Sequence, residues 1–249
     1  MTEVPDDHPR RESLETRHRI EEGLDAGVTS RQGLIAQGRG EAYDYLLGEE
    51  TIPSAAEAER AAAAALLLAD HPVVSVNGNV AALAPGDAVA LADAVGGDVA
   101  VNIFHHSDDR MHAIADALRD AGASDVKGLE RDAEIPGLAS ERGKVDADGI
   151  AAADAVVVPL EDGDRCEALV ADGKTVIVID LNPLARSPRK ATIPVIDNVV
   201  RALPAIADAA ADLADASDDA LRGIVEDFDA QAALDAAEER IRRGATDDG

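Results

Sequence analysis

The chain of 249 residues is long enough to bury a sizeable core, and its 50 acidic and 23 basic residues give a formal net charge of −27. A field of this sign repels phosphate backbones and anionic lipids, so neither nucleic acid nor a membrane surface is an expected partner. The hydrophobic fraction of 46% is ordinary for a globular protein, which excludes disorder as the explanation of the charge.

Residue usage also indicates the environment of the protein. Lysine occurs only four times, aromatic residues make up 2% of the chain, and alanine is very frequent. This mixture is typical of a halophilic protein, because concentrated salt screens the repulsion among its many acidic groups. An ordinary acidic cytosolic protein is the alternative. Cys166 cannot form an internal disulfide, the first residues have no apolar signal core, and no apolar run approaches the roughly 20 residues that cross a bilayer. We therefore expect a cytoplasmic protein.

Helical patterns dominate the first 70 residues. They predict a helix over 10–26, a glycine-rich stretch over 33–40, a helix over 41–47 and a buried helix over 54–68. Gly27 and Gly48 are the expected stops of the first two helices. Ser54 is the predicted N-cap of the last one, because Glu57 stands three positions later, as in a capping box.

Short β-rich runs separated by helix-length segments come next. They predict strands over 73–76, 99–104, 155–160, 175–180 and 192–196. Such an alternation predicts an α/β fold with a parallel sheet, and the continuous apolar runs indicate strands buried on both faces. The tail from Ser217 to Arg243 has the spacing of one or two packing helices. Ligands of such sheets bind beyond the carboxyl ends of the strands, which directs attention to the residues there.

The common nucleotide-binding motifs are incomplete. Gly38 and Gly40 would need a small residue at position 43 to complete a dinucleotide fingerprint, and Tyr43 stands there. Between Gly137 and Gly143 there are five residues where a P-loop has four. Neither a classical dinucleotide site nor a P-loop is predicted.

Two stretches lack acidic residues, which is unusual in so acidic a chain. Residues 26–40 carry Arg31 and Arg39, and residues 181–196 carry Arg186, Arg189 and Lys190. Arginine offers a fork of donors that matches phosphate oxygens, so these stretches, predicted as loops, indicate a bound polyanion. Pairing of these arginines with acids elsewhere on the surface is the alternative.

Other strand ends carry polar clusters. Glu161, Asp162 and Asp164 could hold Mg²⁺ that bridges phosphates, could receive a substrate ammonium group, or could form a solvated acidic turn. Asn77 and Asn79 flank Gly78 and could present amide groups to an anionic substrate or form a tight turn.

Histidine and cysteine chemistry has little support in the sequence. His105 or His106 could act as a general base, although a capping or surface role is more common at a strand end. No histidine or cysteine spacing indicates a structural metal site, and Cys166 has no nucleophile signature around it.

Several long segments resemble a known family. They are DHPRRESLETR (7–17), GLIAQGRGEAYDYLLGE (33–49), HPVVSVNGNVAAL (71–83), VPLEDGDRCEALV (158–170), IDLNPLARS (179–187) and IDNVVRA (196–202). Their order and content resemble the archaeal 4-phosphopantoate--beta-alanine ligases, or phosphopantothenate synthetases, of coenzyme A biosynthesis. The resemblance implies a Rossmann-like homodimer in which 1–249 is a single ligase domain, with an N-terminal helical segment (1–70), a core (71–203) and C-terminal helices (204–249).

The resemblance also implies the reaction. ATP is the implied co-substrate, used together with Mg²⁺. The implied reaction joins 4-phosphopantoate to β-alanine through an acyl-adenylate and gives 4′-phosphopantothenate, AMP and diphosphate. The ATP contacts of the family fall on Arg17, Arg39, Asp180, Leu181, Asn182, Arg186, Ser187, Asn198 and Val199.

Residue roles follow from that chemistry as hypotheses. Arg39 and Arg186 would neutralise the charge that develops on the ATP phosphates, with help from Arg17. Asp180 and Asn182 would hold the ribose or the base. Asp162 or Asp164 would receive the β-alanine ammonium group, with Asp164 the catalytic candidate, while Asn77 and Asn79 would contact the substrate. Cys166 stands where the family pattern has a small polar residue.

Three other functions fit parts of the sequence. An oxidoreductase would fit the sheet but lacks the glycine fingerprint. A non-catalytic interaction protein would fit the alanine-rich helices but would not need acid-free arginine stretches. A kinase would fit the charge pattern and would release ADP instead of AMP.

Overall fold

A five-stranded parallel sheet forms the centre of the computed structural model, which describes residues 10–104 and 106–244. The predictions that concern residues 1–9, His105 and residues 245–249 lie outside the described residues. The strands are β1 (Pro72–Val76), β2 (Asp98–Val101), β3 (Ala133–Glu134), β4 (Lys144–Val145), β5 (Ala155–Pro159), β6 (Thr175–Ile179) and β7 (Ile193–Val195). The sheet order is β2-β1-β5-β6-β7, and β3 pairs with β4 in a separate antiparallel ribbon.

Helices cover both faces of the sheet and begin and end the described part of the chain. They are α1 (Arg11–Asp25), α2 (Arg31–Leu47), α3 (Pro53–Leu67), α4 (Gly78–Leu83), α5 (Pro85–Ala94), α6 (Asp108–Asp120), α7 (Gly163–Ala171), α8 (Val199–Leu213), α9 (Asp218–Asp227) and α10 (Ala230–Arg243). The predicted α/β fold with a parallel sheet flanked by helices is confirmed. No helix among the described residues is long and apolar enough to cross a membrane.

Alternate residues of each strand enter different hydrophobic layers. In β5, Val157 packs into the layer that includes α3, α5, α6 and α8, whereas Val156 and Val158 pack against α7 and the segment around β4. Every residue of β1 and β5 is buried. Burial on both faces is the physical reason for the continuous apolar runs, so that prediction is confirmed.

The order of the sheet reverses between β1 and β5. From β1 the chain moves outward to β2, and it then returns to the other side of β1 to build β5, β6 and β7. The crossovers from β1 and from β5 therefore leave in opposite directions, which opens a crevice above their carboxyl ends. This topology fixes where a ligand can bind.

The glycine-rich stretch at 33–40 is helical, so its prediction as a loop is wrong. It belongs to α2, which Ser30 caps by accepting a hydrogen bond from the Gly33 amide. Glycine disfavours a helix by roughly 1 kcal/mol per residue, but tertiary packing reverses that preference here. A Cβ on Gly33 would collide with the side chains of Thr29 and Asn79, so the glycine permits close approach.

Two boundaries also differ from the predictions. Pro53 is the first residue of α3, and Ile52 precedes it without a side-chain cap, so Ser54 is not the N-cap. Proline suits this first position because its missing N–H would have no helical partner there. Strand β2 ends at Val101, and the predicted continuation to Phe104 leaves the sheet. The stops near Gly27 and Gly48 and the two tail helices are confirmed.

Candidate functional site

A cleft of about 420 Å³ lies above the carboxyl ends of the strands at the reversal of the sheet order. Residues of α2, of the loop before it and of the segments after five strands line it. They include Thr29, Ser30, Gln32, Gly33, Arg39, Asn77, Gly78, Asn79, Ile103, Phe104, Arg110, Leu160, Glu161, Asp162, Leu181, Asn198 and Val199. This is the position at which doubly wound sheets bind ligands.

Asn77 joins the ends of the neighbouring strands β1 and β5 at the cleft. Its Oδ1 accepts hydrogen bonds from the amides of Asn79 and Val80, at 3.0 and 3.2 Å, and so caps α4. Its Nδ2 donates to the carbonyls of Pro159 and Leu160, at 2.9 and 3.2 Å. The predicted substrate residue therefore holds the end of β5 against the start of α4.

Asn79 ties the loop before α2 to the same part of the cleft. Its Oδ1 accepts a hydrogen bond from Thr29 Oγ1 at 2.5 Å, and its Nδ2 donates to the Gly33 carbonyl at 3.0 Å. The side chain is 8% exposed. Asn77 and Asn79 both line the cleft, but their side-chain groups already have protein partners, so they shape the site.

Gly78 shows how tightly the loop packs. A Cβ at this position would lie 2.5 Å from the Val28 carbonyl oxygen and 3.1 Å from Thr29 Cα, and neither backbone atom can rotate away. We expect Gly78→Ala to lower the free energy of unfolding by about 1–3 kcal/mol because it overpacks this contact. Denaturant unfolding at high salt measures the effect.

Gly86 provides the matched control for this substitution. It lies in the first turn of α5, and a Cβ there would meet nothing within 4 Å. Gly86→Ala should raise the free energy of unfolding slightly, by up to about 1 kcal/mol, because alanine favours the helix. Equal stability of the two variants would show that the contact between Gly78 and the Val28 carbonyl is not tight.

A buried charge cluster supports the wall of the cleft. Arg165 is fully buried and donates to Glu161 Oε2 at 2.9 Å and to Ser75 Oγ at 3.1 Å. Arg142 approaches the other oxygen of Glu161 at 3.4 Å and pairs with Asp162 Oδ2 at 2.8 Å. Two guanidinium groups therefore fix one carboxylate, and Glu161 is held in place at the edge of the cleft.

Leu160 joins this wall in a strained conformation. Its φ of 53° lies in the left-handed region, which a leucine seldom adopts. Its amide donates to the Ile179 carbonyl at 3.0 Å, and its carbonyl accepts from Asn77. The strain turns the chain sharply out of β5, so that Glu161 and Asp162 follow directly at the cleft.

Two arginines of the cleft have no acidic partner within the described part of the chain. Arg39 projects from α2 and Arg110 from α6, and both line the cavity. By contrast, Arg142 and Arg165 of the adjacent wall are paired with carboxylates. Positive charge without a carboxylate, in a protein of net charge −27, makes the cleft suitable for an anion.

Asp180 lies beneath one end of the cleft. Burial raises the pKa of its carboxyl to about 6, against the opposing effects of the Asn182 and Leu181 amides and of the positive charge on Arg39. The Asn182 amide donates to Asp180 Oδ1 at 3.0 Å. Leu181, between them, lines the cleft, whereas Asp180 and Asn182 shape the turn that follows β6.

Arg186 and Asp164 lie in a second cavity. Arg186 pairs with Asp164 and Glu167, and all three line a cavity of about 510 Å³ beside α7. Arg186, from the acid-free stretch 181–196, therefore pairs with acidic residues of another part of the chain. Such pairing was the alternative to a bound polyanion. Ser187 is buried and donates to the Glu161 carbonyl at 2.7 Å.

Arg17 also stands outside the cleft lining. Its guanidinium donates to both carboxylate oxygens of Glu41, at 2.6 and 3.0 Å. Burial opposes the charge on Glu41, but the hydrogen bonds from Arg17 and Tyr45 outweigh it and lower the pKa of that carboxyl. In this conformation Arg17 connects α1 to α2.

Asn198 and Val199, which the resemblance assigns to ATP, line the cleft at the start of α8. Asn198 Nδ2 donates to Asp44 Oδ2 at 2.8 Å, and Asp44 pairs with Arg201 at 2.5 Å. Behind them, burial and the neighbouring Asp197 raise the pKa of Glu59 to about 8. This network anchors α8 to α2 and α3.

The described residues form no preformed metal cage, and they place neither His106 nor Cys166 in the lining of the cleft. No group of three or more His, Cys, Asp or Glu side chains there is placed to hold a metal ion. His106 contacts Asp108 at 2.8 Å and does not line the cleft. Cys166 is fully buried, and burial raises the pKa of its thiol to about 12, so it is not a nucleophile.

Sequence reasoning missed Arg110, Phe104 and the fixed position of Glu161. Arg110 follows Asp108 and Asp109, so local charge gave no signal for it. Phe104 is 54% exposed and stacks on Arg142, whose guanidinium carbon lies 4.3 Å from the ring centre. The signal that could have found Phe104 is its large apolar ring in the segment that follows the apolar strand β2.

Known proteins are similar to this chain over most of its length. A family model described as phosphopantothenate/pantothenate synthetase matches residues 54–244. A 4-phosphopantoate--beta-alanine ligase of Methanosarcina mazei is 57% identical over 203 residues, which cover 82% of this chain and 80% of that protein. Proteins of the same name from Thermococcus onnurineus and Thermococcus kodakarensis are 53% and 50% identical over 230 residues, with 92% of this chain and 88% of each relative covered.

Proposed function

Because the chain belongs to the phosphopantothenate/pantothenate synthetase family, we propose that this ATP-dependent ligase joins 4-phosphopantoate to β-alanine. The products are 4′-phosphopantothenate, AMP and diphosphate, and the reaction serves coenzyme A biosynthesis. The observation that carries the proposal, beside family membership, is the cleft with Arg39 and Arg110, whose guanidinium groups have no acidic partner in the described part of the chain. Both 4-phosphopantoate and ATP are polyanions that such a cleft can attract.

The reaction proceeds through a phosphopantoyl-adenylate in this proposal. A carboxylate oxygen of 4-phosphopantoate attacks the α-phosphorus of ATP. A new bond forms between this oxygen and the α-phosphorus, the bond from the α-phosphorus to the bridging oxygen breaks, and diphosphate leaves. The β-alanine amine then attacks the adenylate carbonyl, loses a proton and expels AMP. Arg39 stabilises the negative charge of the first transition state, because its guanidinium is already placed in the cleft.

ATP occupies the end of the cleft above β6 and β7. Leu181, Asn198 and Val199 line this end, which supports their assignment as ATP contacts. Asp180 holds the turn beneath them through the Asn182 amide. In the proposal these two residues position Leu181, and Asp180 reaches the ribose only if the turn opens.

Arg17, Arg186 and Ser187 would contribute after a rearrangement. Arg186 is 58% exposed and is held by two carboxylates on α7, so it must exchange these ion pairs for ATP phosphates. Arg17 must likewise leave Glu41. The ion pairs of Arg186 are exposed and contribute little to stability, so their exchange costs little.

The β-alanine ammonium group binds at Asp162 in this proposal. Asp162 lines the cleft and is 51% exposed on its side chain, whereas Asp164 points into the second cavity and pairs with Arg186. Asp162 and Glu161 together bring two negative charges to the wall, opposed by Arg142 and Arg165. Asp164 therefore acts on the reaction only through Arg186.

Mg²⁺ accompanies ATP. Sites of this kind take one or two carboxylates, with phosphate oxygens and water as the other ligands, so the described residues need not form a metal cage. Asp162 is the half-exposed carboxylate of the cleft that fits this role, in competition with the ammonium group of β-alanine. When bound, the ion neutralises charge on the phosphates.

We further propose a cytoplasmic, halophilic homodimer in which 1–249 forms a single ligase domain. The net charge of −27 supports adaptation to salt. Helix α2 exposes Ile35 and Leu46, which are 67% and 44% accessible and lie about three helical turns apart on one face. A second copy of the chain would cover this apolar face.

Product analysis tests the function. Incubation in concentrated KCl with ATP, Mg²⁺, 4-phosphopantoate and β-alanine should give AMP and a coupled product with the mass of 4′-phosphopantothenate. Omission of either carbon substrate should abolish the coupled product, whereas omission of β-alanine alone should leave exchange of diphosphate into ATP. Release of ADP would instead support the kinase, and absence of turnover by folded protein would exclude the ligase.

A further inference from the structure

The cleft has two chemically different ends. Its lining runs along the carboxyl edge of the sheet from Leu181, after β6, to Ile103 and Phe104, after β2. Parallel strands lie roughly 4.8 Å apart, so three strand intervals separate these ends by about 14 Å. One end is assigned to ATP in the proposed function, and the other end needs an occupant.

Arg110 is the charged group of the end above β2. It lies in the first turn of α6, where its amide donates to Ser107 Oγ at 3.5 Å. The side chain is partly buried and lines the cleft, and no carboxylate within the described residues lies in ion-pair range of it. The carboxylate of Asp108, its neighbour on the helix, contacts His106 Nε2 at 2.8 Å.

We propose that Arg110 binds the phosphate of 4-phosphopantoate and thereby makes the enzyme prefer the phosphorylated acid to pantoate. The proposal rests on the proposed function. The family description joins two activities, phosphopantothenate and pantothenate synthesis, whose products differ by this one phosphate. A guanidinium without a carboxylate is the group that distinguishes a phosphate ester from a hydroxyl.

The geometry of the substrate agrees with this placement. Its carboxylate and its phosphate stand at opposite ends of a four-carbon chain. The carboxylate must reach the α-phosphate of ATP near the middle of the cleft, which directs the phosphate away from β6 and towards α6. Ile103 and Phe104 line that end, and they provide apolar surface for the two methyl groups of the substrate.

The other arginines near the cleft are less suited to this role. Arg142 carries two ion pairs and stacks on Phe104, and Arg165 is fully buried. Arg39 has no acidic partner in the described range, but its charge acts on Asp180, at the ATP end. Arg110 is therefore the free cation nearest to β2 among the lining residues.

Steady-state kinetics of Arg110→Ala and Arg110→Lys test the proposal. The alanine variant should raise the KM for 4-phosphopantoate roughly 10- to 100-fold, as expected for lost hydrogen bonds to a charged group, with little change in the KM for ATP. Its preference for 4-phosphopantoate over pantoate should fall by a similar factor. The lysine variant should recover part of the affinity for 4-phosphopantoate and part of the preference over pantoate, because lysine keeps the charge but not the fork of donors.

Arg60→Ala is the matched control. Arg60 is an exposed residue of α3 outside the cleft and has no ion pair within the described chain, so its loss removes the same charge at a distance. It should leave both KM values close to those of the wild type. A 4-phosphopantoate KM that rises equally in the two variants would overturn the proposal, because a general charge effect would explain it.

Calorimetric titration with 4-phosphopantoate in the absence of ATP separates this inference from the proposed function. Weaker binding to Arg110→Ala than to the wild type supports the inference even if no ligase product forms. Equal binding to the two proteins overturns the inference even if the ligase reaction is observed. A wild-type protein that binds no 4-phosphopantoate overturns both.

Discussion

Arg39→Ala is expected to lower kcat/KM for ATP by roughly 10²- to 10³-fold, the loss typical of removing one preorganised group from a developing negative charge. Arg39 has no ion pair within the described structure, so its replacement leaves no carboxylate without its ion-pair partner. The fold should therefore be unchanged, and the loss should fall on ATP binding and on adenylate formation. Initial rates at varied ATP, together with the dissociation constant of ATP, measure it.

Arg31→Ala is the control for this substitution. Arg31 is the first residue of the same helix, is exposed, lies outside the cleft lining and likewise has no ion pair among the described residues. Its replacement should change kcat/KM less than about threefold in concentrated salt, where screening suppresses distant charges. Wild-type activity and ATP affinity in Arg39→Ala would contradict the assignment of Arg39 to the nucleotide.

The sheet was predictable because its signal is local. A strand buried on both faces needs an apolar residue at each position, and the runs in β5 and β6 show this directly in the sequence. Helix α2 was not predictable in the same way, because Gly33 and Gly40 lower its intrinsic helix propensity. Their role appears only when Asn79 and Leu181 pack against them.

The site was predictable in position but not in detail. Asn77, Asn79 and Asp162 follow strand ends in the sequence and line the cleft, because parallel strands bring their carboxyl ends together. A stretch of sequence without acidic residues can still have acidic residues beside it in the fold. Helix α7 brings Asp164 and Glu167 to Arg186 in this way. For the same reason Arg110, which follows two aspartates, gave no signal although no carboxylate pairs with it in the described structure.

Arg165→Met is expected to lower the free energy of unfolding by about 3 kcal/mol, because removing one member of a buried ion pair leaves the other charge poorly compensated. Glu161 is 9% exposed on its side chain, and its remaining cation, Arg142, approaches it only to 3.4 Å. Ser75 also loses its hydrogen-bond donor. Denaturant unfolding of the variant and of the wild type, at the same KCl concentration, measures the difference.

Arg119→Met is the control for the loss of an ion pair. Arg119 pairs with Asp116 on the exposed face of α6, so its replacement should change the free energy of unfolding by less than about 1 kcal/mol. If Arg165→Met is as stable as Arg119→Met, the buried pair is not important for the fold. That result would also remove the reason to regard Glu161 as a fixed part of the cleft.

The double variant Arg165→Met/Glu161→Gln distinguishes charge from shape. Arg165 Nε has no hydrogen-bond partner in the described structure, so the buried guanidinium itself carries a desolvation cost that methionine would not. If unpaired charge is the cause of the instability, the double variant should be more stable than Arg165→Met alone. We expect the activity of Arg165→Met and of the double variant to be below that of the wild type, because in both variants residue 161 no longer holds Arg142 and Asp162 in place at the wall of the cleft. Recovery of activity together with stability would mean that the cluster serves the fold and not the reaction.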